Sequence, residues 1–415
     1  MRNLDTRPIR TLAAVVVSTA VLAVSHPGRV AAQQWVATWG SSLQGASPED
    51  WTVTDGSVRL IARSTIAGDQ VRVRLENTFG EAPLRIGAAT VGLQARGAAL
   101  VAGSATVLRF DGSTTVTIPV GEYVVSDPAT LAVRAEQRLV VSLHLPGSNV
   151  RSSVHSNGLT TSYITDARDG DQTGNVDGEP YAMTTTRMHW LSAIEVYSSS
   201  AHGAIVAFGD SITDGSCATV DGYDRWGDVL YARLLDTDAA AAGTARVAMV
   251  NAGIGGNTVI RVPPVGSVPG VERLDRDVLS LAGVTHVVLF LGTNDLRRNA
   301  TAEQVIAGLD EVVRRAKARG LAVIGTTIIP RNPVPRGLPP ELGFGASRNA
   351  ERHAVNAWIR SNGDLDAVLD FDEVLMDSND RDLINPIFDC DGIHPNVLGY
   401  GAMARSVDLA LFADR

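Results

Sequence analysis

From residue 203 onward the chain alternates near-continuous apolar runs with segments of helical period, and few folds accommodate that pattern. The runs are "AIVAFG", "RVAMVN", "THVVLFLG", "LAVIGTTIIP" and "DAVLDF". Between them lie "RWGDVLYARLL", "VERLDRDVLSL", "TAEQVIAGLDEVVRRAKARG" and "SRNAERHAVNAWIRSNG", and "VLGYGAMARSVDLALF" closes the series as a final helix. Strands apolar on both sides belong in a parallel sheet covered by helices on both faces. The longest helix is punctuated at each end: Thr301 and Gln304 have capping-box spacing, and Gly320 is its stop.

Before residue 203 the period is different. "SVRLIARSTI", "QVRVRLENTF", "ATVLRF", "TVTIPV" and "RLVVSLHLPG" are short β-type segments separated by Gly, Asp, Pro and Ser, with no ten-residue helical pattern among them. Many short strands with turn signals predict a sandwich or jelly-roll-like module. The expected organisation is a β-rich domain over 33–200 and an α/β domain over 201–415. A chain of 415 residues is long enough for two such cores.

Residues 1–32 read as neither. Arg2, Arg7 and Arg10 precede the apolar run 11–24, and Val30 and Ala32 supply a small-x-small end. That is the layout of a cleavable export signal. An apolar run of about 14 residues is short for a membrane span, which needs roughly 20. The expectation is cleavage after Ala32, a secreted or periplasmic product, and no stable membrane anchor afterwards. The net charge of −9, with basic residues scattered, gives no reason to expect a nucleic-acid partner. An even count of two cysteines, Cys217 and Cys390, permits one disulfide in an exported protein.

Loops leaving the carboxyl ends of parallel strands gather on one edge of the sheet. Four stretches with unusual chemistry are expected there: "GDS" (209–211), "NAGIGGN" (251–257), "GTND" (292–295) and "DGIHP" (391–395). A serine hydroxyl needs a base, and His394 can supply it, with Asp391 three residues earlier able to hold the imidazole tautomer. The amides of Ser211 and Gly256 and the side chain of Asn294 can together form an oxyanion hole. Each stretch alone has a plainer reading: turns end strands, and a short Asp-x-x-His arises by chance. Asp210, Asp214 and Asp295 read as loop holders through side-chain-to-backbone bonds. His155, His189, His202, His286 and His353 read as core or surface residues. No P-loop, G-x-S-x-G elbow, H-E-x-x-H or Cys/His cluster is present, which argues against a phosphate-binding, α/β-hydrolase or metal-dependent reading.

All four stretches in this order resemble the four blocks of the SGNH, or GDSL-type, esterase and acylhydrolase superfamily, across residues 204 to 413. The resemblance implies a flavodoxin-like three-layer α/β/α hydrolase with Ser211 as nucleophile, Asp391 and His394 as its partners, and Gly256 and Asn294 as oxyanion donors. It implies no metal and no organic cofactor. "WVATWGSSLQ" and the β-rich stretch before "GDSITDG" are similar to a bacterial secreted subgroup of lipases and acylhydrolases, some of whose members act on xylan. If Ser211 and Asp391 share a site, Cys217 and Cys390 fall within bridging range, and a disulfide bracing the catalytic loops is expected.

The expected activity is hydrolysis of short-acyl (acetyl) esters of carbohydrates or small alcohols, with an acylated polysaccharide among the candidate substrates. A lipase or phospholipase acting on longer chains is the alternative, and an acyltransferase needs only an alcohol that outcompetes water. A different class is a carbohydrate-binding protein with a vestigial hydrolase, in which Trp35, Trp39, Trp51 and Trp190 stack on sugars; burial in a β core is their commoner fate. The Pro-rich segment 330–345 can shape a substrate rim or simply connect two elements.

Overall fold

In the computed structural model, which describes residues 33–47, 50–242, 247–263 and 266–412, the change of period near residue 200 is a change of architecture. The expected leader over 1–32 and its cleavage after Ala32 lie outside the described residues. Leu191–Ser198 is the last strand of an antiparallel sheet, and Gly203–Gly209 opens a parallel one.

The β-rich part contains two main antiparallel sheets. One runs Gln34–Gly40, Leu191–Ser198, Gly68–Glu76 and Tyr123–Val125, with Ala129–Val133 also paired to Gly68–Glu76. The other is built on Gly56–Arg63, Arg138–Leu145 and Ala88–Arg96. Ala129–Val133 alternates buried and exposed residues strictly, as a strand with one solvated face must. Val58, Leu60 and Val141 of one sheet and Val71, Val73 and Val196 of the other join a single apolar cluster. No helix occurs among the described residues of 33–200. Two segments are shorter than their composition predicts: "ATVLRF" contributes only Thr106–Val107 and "TVTIPV" only Val116–Ile118. Trp190 is buried, Trp35 and Trp39 are half-buried, and Trp51 is exposed.

Five parallel strands follow: Gly203–Gly209, Val247–Gly253, Val284–Phe290, Ala322–Thr326 and Ala367–Leu369. Numbered in chain order, they lie as 2-1-3-4-5, which puts the topological switch point beside the first strand. Alternate residues of that strand serve opposite faces. Ile205 and Ala207 join Trp226, Leu230, Phe371 and Met403 from the helices Trp226–Ala242, Phe371–Leu375 and Val397–Ser406. Val206 and Phe208 join Val305, Leu309 and Val312 from Ala302–Ala318 and Val355 from Ala346–Ser361. The capping box on the first of these is present: Thr301 accepts from the Gln304 amide, and the Gln304 side chain accepts from the Thr301 amide.

The closing helix is shorter than predicted. It ends at Ser406, Val407 is extended, and Leu409–Phe412 is a separate 3₁₀ turn. Asp408 is responsible, because its carboxylate accepts from the Ala410 amide and so starts a new turn rather than continuing the old helix.

The described residues belong to one compact unit. The cluster that holds the β-rich core also contains Val206, Phe208 and Val250 of the parallel sheet. Polar contacts join the two parts as well: Ala37 N–H donates to Ala282 O at 2.9 Å, Tyr231 Oη to Thr65 O at 2.6 Å, and Arg63 pairs with Asp228 at 3.0 Å.

Candidate active site

The first parallel strand ends at Gly209 and a four-residue helix, Ser211–Asp214, begins at once. Asp210 caps it by accepting from the Ile212 amide at 3.0 Å. Burial pushes the Asp210 carboxyl up to about 7. The second strand ends hard against this helix: a Cβ on Gly253 would stand 2.2 Å from the Asp214 amide nitrogen, so only glycine fits.

His394 comes from the loop before the last helix. Its Nε2 lies 2.9 Å from Ser211 Oγ and its Nδ1 lies 2.8 Å from Asp391 Oδ2. The other carboxylate oxygen of Asp391 accepts from the amides of Ile393 and His394, each at 2.9 Å. Burial opposes ionisation of Asp391, but the hydrogen bond from His394, its charge and these amides outweigh it and hold the carboxyl down at about 2. Ser211 is 8% exposed.

The loop after the second strand is nearly saturated with hydrogen bonds. The Gly253 amide donates to Asn251 Oδ1, Ile254 to Gly209 O, Gly255 to Asp214 Oδ2 and Asn257 to Ile254 O. The Gly256 amide has no partner among the described residues, and its φ of 72° is one that favours glycine. Asn294 stands in the short helix Thr293–Arg297 and spends one amide hydrogen on Asn257 O at 2.9 Å, which leaves the other to give. Its neighbour Asp295 accepts from the amides of Val259, Ile260 and Arg261 and so ties the same loop to the Asn294 helix.

Two residues without any local sequence signal hold these loops. Arg273 is fully buried and donates to Gly209 O, Ala252 O and Asn257 Oδ1, joining the ends of the first two strands. His155 is buried, as a core histidine would be, but it also reaches across from the β-rich part. Its Nδ1 lies 2.9 Å from Ser42 O and its Nε2 lies 3.0 Å from Asp214 Oδ1, while Asp214 Oδ2 accepts from Gly255. Burial depresses the His155 pKa, but the Asp214 carboxylate more than compensates and raises it. A cavity of about 60 Å³ is lined by His155, Thr213, Tyr223 and Trp226, but not by Ser211 or His394.

Cys217 and Cys390 form a disulfide with their Cα atoms 6.5 Å apart. It joins the turn after the Ser211 helix to the residue before Asp391. Cys217, Asp391 and His394 bring potential metal-ligand atoms within 4.8 Å of one another. The sulfur is committed to the disulfide and the imidazole to Ser211 and Asp391, so the group fits a metal poorly. The Pro-rich segment 330–345 is bound to the same loop: Asn332 N–H donates to Gly392 O at 2.8 Å and Arg336 N–H to Asp391 O at 2.7 Å.

Residues 207–402 match the GDSL-like lipase/acylhydrolase family. Among solved structures, the chain is similar to a GDSL-like lipase from Bacteroides thetaiotaomicron, at 20% identity over 51% of this chain and 88% of that one, with a TM-score of 0.36. A carbohydrate acetylesterase from Sinorhizobium meliloti matches at 18% identity over 49% and 95%, with a TM-score of 0.39. The aryl esterase of M. smegmatis matches at 19% identity over 49% and 95%, also at 0.39. No curated protein matches the chain.

Proposed function

We propose that the chain, whose residues 207–402 match the GDSL-like lipase/acylhydrolase family, hydrolyses carboxylic esters through an acyl-enzyme on Ser211. The observation that carries this reading is the continuous relay from Ser211 Oγ through His394 to Asp391, with bonds of 2.9 and 2.8 Å. His394 Nε2 takes the Ser211 proton as Oγ bonds to the ester carbonyl carbon. The carbonyl electron pair moves to oxygen, where the amides of Ser211 and Gly256 and the Asn294 side chain donate. Collapse breaks the bond to the alcohol oxygen, which leaves with the proton from His394. Water then gives a proton to His394 and bonds to the acyl carbon, and Ser211 Oγ departs with that proton.

The acyl group in this reading is short, and the alcohol is a carbohydrate or a small molecule. A longer acyl chain is the second reading, and one observation favours it: Val334, Ile387 and Leu398 are 68%, 64% and 56% exposed on segments flanking His394. The protein is exported in this proposal. A Cys217–Cys390 bridge is compatible with an oxidising compartment, and no described helix is long and apolar enough to cross a membrane.

Turnover of p-nitrophenyl esters from acetate to palmitate, by the protein and by Ser211→Ala, tests the reading. The expected result is fastest turnover of acetate and a loss on the order of 10⁶ in kcat for the variant. Peak activity on long chains would select the second reading. Equal activity in the variant would sink the mechanism.

A further inference from the structure

An excess of acidic residues makes the chain net negative, yet four arginines near Asn294 have no acidic partner. Among the described residues, Arg297, Arg298, Arg331 and Arg348 make no hydrogen bond or ion pair to a carboxylate. Arg348 donates to Glu341 O, Gly343 O and Asn299 Oδ1. Arg331 is the least satisfied for its burial. It is 3% exposed, and its one hydrogen bond is a long one, 3.3 Å from Nη1 to Thr293 Oγ1. Its Nε is buried without a partner, and its Nη2 is unpartnered but not buried. The Phe344 ring centroid lies 5.2 Å from its guanidinium carbon.

Arg331 sits between the two loops that carry the candidate chemistry. Thr293, which it touches, precedes Asn294. Asn332, the next residue along, is bound to Gly392 in the His394 loop. Asp210 and Asp391 are near enough for their charges to favour its cation, while Arg297 and Arg348 oppose it; burial first, then Arg297, lowers its pKa to about 10, so it stays protonated at neutral pH. Neither carboxylate neutralises it directly. Asp391 is engaged with His394, and the Asp210 carboxyl is pushed to about 7 by burial.

A buried guanidinium with most of its N–H groups unmatched is costly to hold. The fork is suited to a planar carboxylate, which it can receive through two parallel charge-assisted bonds. We infer that the ester substrate itself carries a carboxylate, received by Arg331 with Arg297 and Arg348 adding to the positive field, an inference that rests on Ser211 being the esterase nucleophile. Acetylated sugars bearing a uronic acid have this chemistry on the alcohol side, and hemiesters of dicarboxylic acids have it on the acyl side.

Two measurements test this. In the first, thermal shift with free glucuronate, free succinate and neutral glucose requires no turnover. Stabilisation by a carboxylate but not by glucose, lost in Arg331→Gln, is expected. In the second, kcat/KM is compared within two pairs: p-nitrophenyl hemisuccinate against p-nitrophenyl pentanoate, and acetylated methyl glucuronoside against acetylated methyl glucoside.

The carboxylate member of at least one pair should be preferred about tenfold at low salt, the scale of one well-placed charged contact. The preference should shrink as NaCl screens it. Arg331→Gln, and independently the half-buried Arg297→Gln, should bring the ratio towards one. The pair showing the preference assigns the side of the ester. Ser211-dependent turnover of the neutral esters without any carboxylate preference in binding or rate would overturn the inference and leave the esterase reading standing. Carboxylate binding lost in Arg331→Gln, without Ser211-dependent turnover, would support the anion site and sink the esterase reading instead.

Discussion

Asp391 uses one oxygen on the imidazole of His394 and the other on two backbone amides, so its charge both orients the base and fixes the loop that carries it. Asp391→Asn keeps the shape but presents Nδ1 with the wrong complement of hydrogens. The expected loss in kcat is on the order of 10⁴. The same carboxylate gives a pH signature. Its pKa is about 2 in the folded chain and 3.8 ordinarily, so the unfolded chain binds its proton first as acid is added. Its stabilisation is therefore present above pH 3.8 and lost as the pH falls from there towards 2. Urea midpoints measured across that window should fall more steeply for the native sequence than for Asp391→Asn. The sequence pointed to Ser211, Asp391 and His394 because each stands at a strand end or just before a helix, and the three side chains do meet. It did not point to Arg331, because nothing in "IIPRNP" separates a guanidinium facing a site from one facing solvent.

Among elements, the strand Ser153–His155 matters out of proportion to its length. It delivers His155 to Asp214, at the end of the Ser211 helix, and Asp214 in turn holds the Gly255 amide next to Gly256. His155→Ala would leave the buried side chain of Asp214 without its hydrogen-bond partner, at about 3 kcal/mol in stability. It would also free the loop that carries Gly256, so kcat should fall while KM for a small ester changes little. His155→Gln, whose amide can still donate to Asp214, should recover part of kcat; an unchanged kcat in the alanine variant would show that the contact serves stability alone. The raised His155 pKa predicts that its stabilisation, complete below pH 6.5, is lost as the pH rises through the folded value. The parallel strands were readable because burial on both faces demands unbroken Val, Ile and Leu. Pairings of two or three residues in the β-rich part depend on partners far along the chain, and alternation within one segment cannot reveal them. His155 was missed for a related reason: its acidic partner is 59 residues away.

Across the whole molecule, the two architectures share an apolar cluster and buried hydrogen bonds. Residues 201–415 expressed alone would uncover Val250, which packs against Gly40, and would lose His155, Ser42 and Thr65. That fragment should be poorly soluble or inactive on p-nitrophenyl acetate, and full activity in it would show that the β-rich part is dispensable. The change of period marked where one architecture gives way to the other. It said nothing of how closely they interlock, because the interlocking contacts come from single residues such as Ser42, Thr65 and His155. The pairing of Gln34 with Ser198 and the 173-residue separation of Cys217 from Cys390 also set an order of assembly. The first described strand must wait for the last strand of its own sheet, and the disulfide cannot close until the His394 loop is nearly synthesised. Long-range closures of this kind make for slow maturation. A nascent chain interrupted before Cys390 would therefore lack both the bridge and His394.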